Sequence, residues 1–125
     1  MNRLNDKLQP YFNQLHHAGL VLTHTTSLHY AQCGGQEQGD WIELMIDVKQ
    51  NQIQSASFLC FGPAVTIALC EYICSYIEGL TVEQVNHISE QFILSRCSLH
   101  QLQRPTVLRV LYLLKKCVNS EGETN

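Results

Sequence analysis

The stretch Ala64–Glu78, AVTIALCEYICSYIE, constrains this chain more than any other part of it. A helix written on these residues has almost no polar face to give to water, and a helix apolar nearly all round must be buried. Pro63 stands at the first helical position, where a missing N–H costs nothing, and Gly79 provides the stop. Just upstream the period changes. From Trp41 to Val48, Ile42, Leu44, Ile46 and Val48 fall on one side and Glu43 and Asp47 on the other, which is a half-buried strand. Lys49–Gln52 is the turn and Ile53–Phe61 the returning strand, so an antiparallel hairpin runs through Phe61-Gly62 into the buried helix.

The flanking segments complete the outline. Leu4, Leu8, Phe12 and Leu15 recur at helical spacing and predict a helix from Met1 to His17, with Pro10 as a kink or a late first turn and Gly19 as its end. Leu20–Thr25 reads as a short strand. Thr26–Gly39, with Cys33-Gly34-Gly35 and Gly39, reads as a loop able to reach, because glycine admits tight and left-handed backbone. Downstream, Thr81-Val82-Glu83-Gln84 is a capping box that opens a helix through Ile88. Phe92–Cys97 is a further helical piece and Gln101–Arg104 a polar loop. Pro105 heads a last helix with Val107, Leu108, Leu111 and Leu114 inward. This order predicts an α+β domain: a small antiparallel sheet of about three strands with helices packed on one face. Residues 1–118 form the single domain and 119–125 a flexible tail. A chain of 125 residues hides roughly two-thirds of its unfolded surface, so its core needs no staples.

Charge and pattern exclude several classes. Eight basic residues against eleven acidic ones give a net charge of −3, which argues against nucleic acid as a partner. No apolar run reaches the roughly 18 residues of a membrane helix, and Met1–Pro10 lacks the apolar core of a signal peptide. The expectation is a cytoplasmic protein that does not engage a membrane. In a reducing compartment its six cysteines are core fillers, metal ligands or sulfur chemists. A nucleophile elbow, a phosphate loop, a metalloprotease helix and a paired acid and base are all missing, so no enzymatic activity is expected.

Gly39-Asp40, Ala56-x-Phe58, Phe61-Gly62, Ile67-Ala68 and Gly79-x-Thr81 occur in this order around the hairpin and the buried helix. The set resembles the U-type iron–sulfur cluster scaffold family, the IscU proteins and the amino-terminal domain of NifU. There, Cys-Gly-Asp opens a strand, Ala-x-Phe lies in the hairpin, and Tyr-Gly-Cys leads into a buried helix that Gly-Lys-Ser/Thr follows. More weakly, Tyr11-Phe12-Asn13 stands where the family has an aromatic before Asn-Pro-Arg-Asn. The resemblance implies a role in iron–sulfur cluster assembly, in which three cysteines carry a two-iron cluster assisted by an Asp and a His. In this chain the first cysteine position holds Gln38, the second Pro63, and the third falls at about Pro105, after Arg104. Only Asp40 is carried over. The family's Leu-Pro-Pro-Val-Lys chaperone motif is replaced by Leu99-His100-Gln101-Leu102-Gln103. Thiolates bind iron, proline has no donor, and glutamine is a weak neutral ligand. Two of the family's cysteines also gain acidity at helix amino termini, and proline there keeps the fold while removing the chemistry.

A replacement donor set would be Asp40 with Cys33, in the glycine-rich loop, and Cys60, three residues before Pro63. The plainer reading makes Cys60 a packed strand residue and Cys33 a surface thiol, since free cysteine behaves as a small hydrophobe. Cys70 and Cys74 share a helix face as core fillers, and Cys97 and Cys117 carry no assignment. His29 is noted for its nearness to Cys33. His16, His17 and His24 read as surface residues, His100 is five residues out of register for the family's ligand, and Trp41 packs. The expectation is therefore an accessory or partner-binding protein of cluster assembly. It would hold no stable cluster and at most a weak iron or iron–sulfur group, with cysteine desulfurase or another assembly protein as partner. One alternative is a persulfide acceptor like the SufE proteins, using Cys33. Another is an interaction module without iron or sulfur chemistry.

Overall fold

The computed structural model describes residues 4–20, 27–35 and 39–120. Its sheet is built on the alternating segment. β2 (Asp40–Lys49) turns through Gln50 and Asn51, both at positive φ, into β3 (Gln52–Phe61). Positive φ at both turn residues gives the turn a twist that matches the strands it joins. β1 (Leu28–Gly35) pairs antiparallel with the other side of β2, so the order is β1-β2-β3. Ile42, Leu44, Ile46, Ala56 and Phe58 face inward and are buried, and every helix that covers them lies on that side.

The all-apolar segment forms α2 (Ala64–Ile77), packed on β3. Thr81 caps α3 (Val82–Asn86) with the reciprocal Gln84 bonds of a capping box, and Ser89 caps α4 (Glu90–Arg96). A short 3₁₀ turn, Gln101–Gln103, leads into α5 (Arg104–Asn119), which packs on β1, β2 and α4. Leu69, Ile73, Ile77, Val107, Val110, Leu113 and Leu114 meet between these layers. Each such side chain contributes on the order of 1.5–3 kcal/mol relative to exposure. No described helix is long and apolar enough to cross a membrane.

Four expectations are corrected. The first helix does not run from Met1 to His17. Among the described residues it is α1 (Gln9–Asn13), with Pro10 in its first turn, and Gln14 is already extended. Beyond it the chain runs alongside β3. The Phe58 N–H donates to the His17 carbonyl at 2.9 Å, and the Gly19 N–H to the Phe58 carbonyl at 2.6 Å. The open edge of a strand offers unpaired backbone groups, and satisfying them outweighs one more helical turn.

The first strand is Leu28–Gly35, inside the segment read as a loop, while positions 21–26 of the expected Leu20–Thr25 strand lie outside the described residues. The pattern hid it because its inward positions, His29, Ala31 and Cys33, are small or polar. Leu108 points outward at 42% exposure, one helical turn from exposed Tyr112, while Val110 and Leu113 fill the core. Position 119 belongs to α5 rather than to a tail. Asn119 and Asn86 exchange amide hydrogen bonds of 3.1 and 2.8 Å, and positions 121–125 lie outside the described residues.

Candidate functional site

Asp40 opens β2 in a niche made by two glycines. A Cβ at Gly62 would come within 2.9 Å of the Asp40 Cβ. A Cβ at Gly34 would run into the Asp40 backbone carbonyl and lie 2.7 Å from Nη2 of Arg109. Through the gap left by Gly34, Arg109 reaches from α5 and places Nη2 2.6 Å from Asp40 Oδ1. The pair is partly shielded, with side-chain exposures of 32% and 16%. Oδ1 is buried and, among the described residues, has no partner that meets hydrogen-bonding geometry, so the contact with Arg109 is an ion pair. Next to it, Trp41 and Phe61, both exposed, form a cross-strand edge-to-face pair with centroids 6.4 Å apart.

Cys33 is not on a loop. It is a residue of β1 paired with Ile42, and Ile42 is paired on its other side with Cys60. The two cysteines therefore lie in one row on the inner face with wholly buried Ile42 between them. Strands about 4.8 Å apart put their backbones roughly 10 Å from each other. Both are half-buried, and pairing with β2 along its length keeps β1 from carrying Cys33 elsewhere.

The thiol neighbour that matters to Cys60 is Cys70 of α2. A hydrogen bond from Cys70 lowers the Cys60 pKa, against burial and the Asp40 carboxylate, which both raise it. The same hydrogen bond and then burial push Cys70 well up. Burial, followed by the Glu71 and Glu78 charges, does the same to Cys74. Burial takes Cys97 to about 11 and Cys117 to about 12.

Of the three positions at which the resemblance implies a missing cysteine, Gln38 lies outside the described residues. Pro63 is the N-cap of α2, one residue earlier than expected, and its carbonyl accepts from Thr66 and Ile67. Pro105 is in the first turn of α5 as expected. Among the described residues no three of His, Cys, Asp and Glu converge as a metal site. His29 points Nδ1 at the Cys117 carbonyl, 3.2 Å away, and His24 lies outside the described residues.

Two features escaped the sequence reading. Arg109 looks like any charge on an amphipathic helix. The other had a signal: Glu71 is a carboxylate inside the most apolar helix, and it is 1% exposed. His17, read as a surface residue, is its partner. Glu71 accepts from the His17 N–H at 2.9 Å and from its Nδ1, and Nε2 donates to Glu78 at 3.0 Å. Glu78 in turn accepts from the Ala56 N–H at 3.0 Å, so the His17 ring ties the amino-terminal segment to α2 and β3.

A family model described as the NifU-like N-terminal domain matches residues 3–113. The chain belongs to that family. This NifU-like domain is 26% identical over 95 residues to the iron–sulfur cluster assembly protein IscU of Plasmodium falciparum. The match takes in 76% of this chain and 59% of that protein, so the chain spans about three-fifths of its relative. The fold is shared with an iron–sulfur cluster assembly scaffold protein described for the SUF system of Fervidobacterium islandicum AW-1. Its TM-score is 0.71 at 13% identity, over 92% of this chain and 96% of that one. It is shared as well with the amino-terminal part of a nitrogen-fixing NifU-like protein from Brucella abortus, with TM-score 0.68 at 8% identity over 91% and 90%.

Proposed function

We propose that this NifU-like domain serves iron–sulfur cluster assembly in the cytoplasm as an accessory, partner-binding protein that has given up the standard cysteine ligands. It catalyses no reaction of its own and binds cysteine desulfurase or another assembly protein. The observation that carries the reading is the donor set. A two-iron cluster requires four strong donors. Here Asp40 is already engaged by Arg109, Pro63 and Pro105 have no donor atoms, and buried Ile42 stands between Cys33 and Cys60. These residues do not fit a stable cluster. The experiment is anaerobic incubation with cysteine, cysteine desulfurase and iron(II), followed by gel filtration. The reading expects the chain to travel with the desulfurase and to carry no visible cluster absorbance. A chain that travels alone, or one coloured by a tightly held cluster, contradicts it.

One observation favours a second reading, a sulfur acceptor. Cys60 is half-buried, and the hydrogen bond from Cys70 lowers its thiol pKa, which favours its thiolate. Its thiolate would attack the outer sulfur of a desulfurase persulfide, forming a Cys60 persulfide as the enzyme's own cysteine leaves as thiolate. The strand position of Cys33 counts against the loop-cysteine version of this chemistry. Mass spectrometry after exposure to desulfurase and cysteine tests it. A one-sulfur increase on Cys60, lost with reductant, supports acceptance, and an unmodified chain rejects it.

A further inference from the structure

Arg109 lies one helical turn beyond Pro105, so the helix that begins at a vacated ligand position also projects a cation from the same face. Its path to Asp40 is open because position 34 has no side chain. Gly34 is at φ +86, and a Cβ there would meet Arg109 Nη2 at 2.7 Å. Gly62 leaves room on the other side of Asp40. The guanidinium ends 2.6 Å from Oδ1, a buried atom with no other partner among the described residues. The carboxylate is thus already matched by a cation.

We infer that Arg109 is a built-in cation standing where a metal would engage Asp40, so that this corner of the fold is closed to divalent ions by charge as well as by the missing thiols. The inference rests on the reading of positions 38, 63 and 105 given above. Two like charges cannot share one carboxylate oxygen in a partly desolvated niche, and a guanidinium cannot lose its proton to yield. A metal on Asp40 must therefore bind against the guanidinium charge or displace it, and displacement would leave a partly shielded cation without its partner. An ordinary ion pair that only fastens α5 to the sheet would behave differently: its loss would alter stability and leave metal affinity unchanged.

The test compares two proteins that differ at Arg109 alone. Both carry Gln38→Cys, Pro63→Cys and Pro105→Cys, and one also carries Arg109→Met, which keeps a long apolar stem without the charge. Cobalt(II) is titrated anaerobically into each, and thiolate-to-cobalt absorbance reports binding. A third protein with Arg109→Lys keeps the charge. The expected result is at least about a tenfold tighter cobalt dissociation constant with Arg109→Met, with Arg109→Lys remaining at the weak value. Equal affinity for all three overturns the inference and leaves the assignment of the vacated positions standing. Absence of cobalt binding in every folded variant overturns that assignment and the inference with it. Should the three added cysteines prevent folding, Pro63→Cys alone, with Asp40 and Cys60 nearby, carries the same comparison with and without Arg109→Met.

Discussion

Arg109 of the last helix and Asp40 at the head of the second strand meet at 2.6 Å, across a glycine that clears the way between them. The contact joins α5 to the sheet at the head of β2. Partial exposure discounts its strength from that of a fully buried pair. A double-mutant cycle of Asp40→Asn and Arg109→Met, followed by urea unfolding, should give a coupling energy of about 0.5–2 kcal/mol. Additive single-mutant effects would show that the two side chains do not support each other.

Gly34 makes that contact geometrically admissible. Gly34→Ala meets a left-handed backbone, the Asp40 backbone carbonyl and Arg109, whereas Gly39→Ala, at φ +81, meets only a left-handed backbone among the described residues. Gly34→Ala should therefore cost more, by roughly 1–3 kcal/mol beyond Gly39→Ala, in paired thermal melts. Equal costs would mean that the Asp40 backbone and Arg109 both give way freely.

His17 makes stability depend on pH. Burial pulls its pKa down, but hydrogen bonds to Glu71 and Glu78 outweigh this and leave it raised in the folded chain. The stabilisation is therefore fully present below the unfolded value of about 6.5 and is lost as pH rises through the higher folded value. Urea midpoints measured from about pH 6 upward to pH 9 should fall across that interval, and His17→Gln should remove that part of the slope. A wild-type slope that survives in His17→Gln would place the titration elsewhere.

The thiols should separate by position. Cys33 and Cys60 are half-buried, and the other four are buried with raised pKa values. Limited alkylation with iodoacetamide, mapped by mass spectrometry, should label Cys60 ahead of Cys70, Cys74, Cys97 and Cys117. Early labelling of Cys74 or Cys117 would contradict the packing of α2 and α5 on the sheet.

The hairpin, the buried helix and the capping box at Thr81 were legible in the sequence because each is written in local periodicity or local side-chain chemistry. Elements held by distant partners were not. β1 carries His29, Ala31 and Cys33 on its inner face and becomes a strand because β2 offers it an edge. Positions 14–17 leave the helical pattern because β3 offers another. Within the candidate site, Asp40, Cys60 and the prolines could be placed from motif order, and the row Cys33–Ile42–Cys60 required the register. Arg109 has no local signature at all. Its role follows from the packing of α5 across Gly34, which joins segments far apart in the chain.

The central claim is that this scaffold fold works without a resident cluster, and iron and acid-labile sulfide analysis of the wild-type protein tests it most directly. The protein is purified under anaerobic conditions, incubated with iron(II) and sulfide, and desalted before analysis. The account predicts iron and sulfide far below one cluster per chain or per dimer, with no visible absorbance. Retention of one cluster per chain or per dimer, abolished by Cys33→Ser or Cys60→Ser, would contradict it.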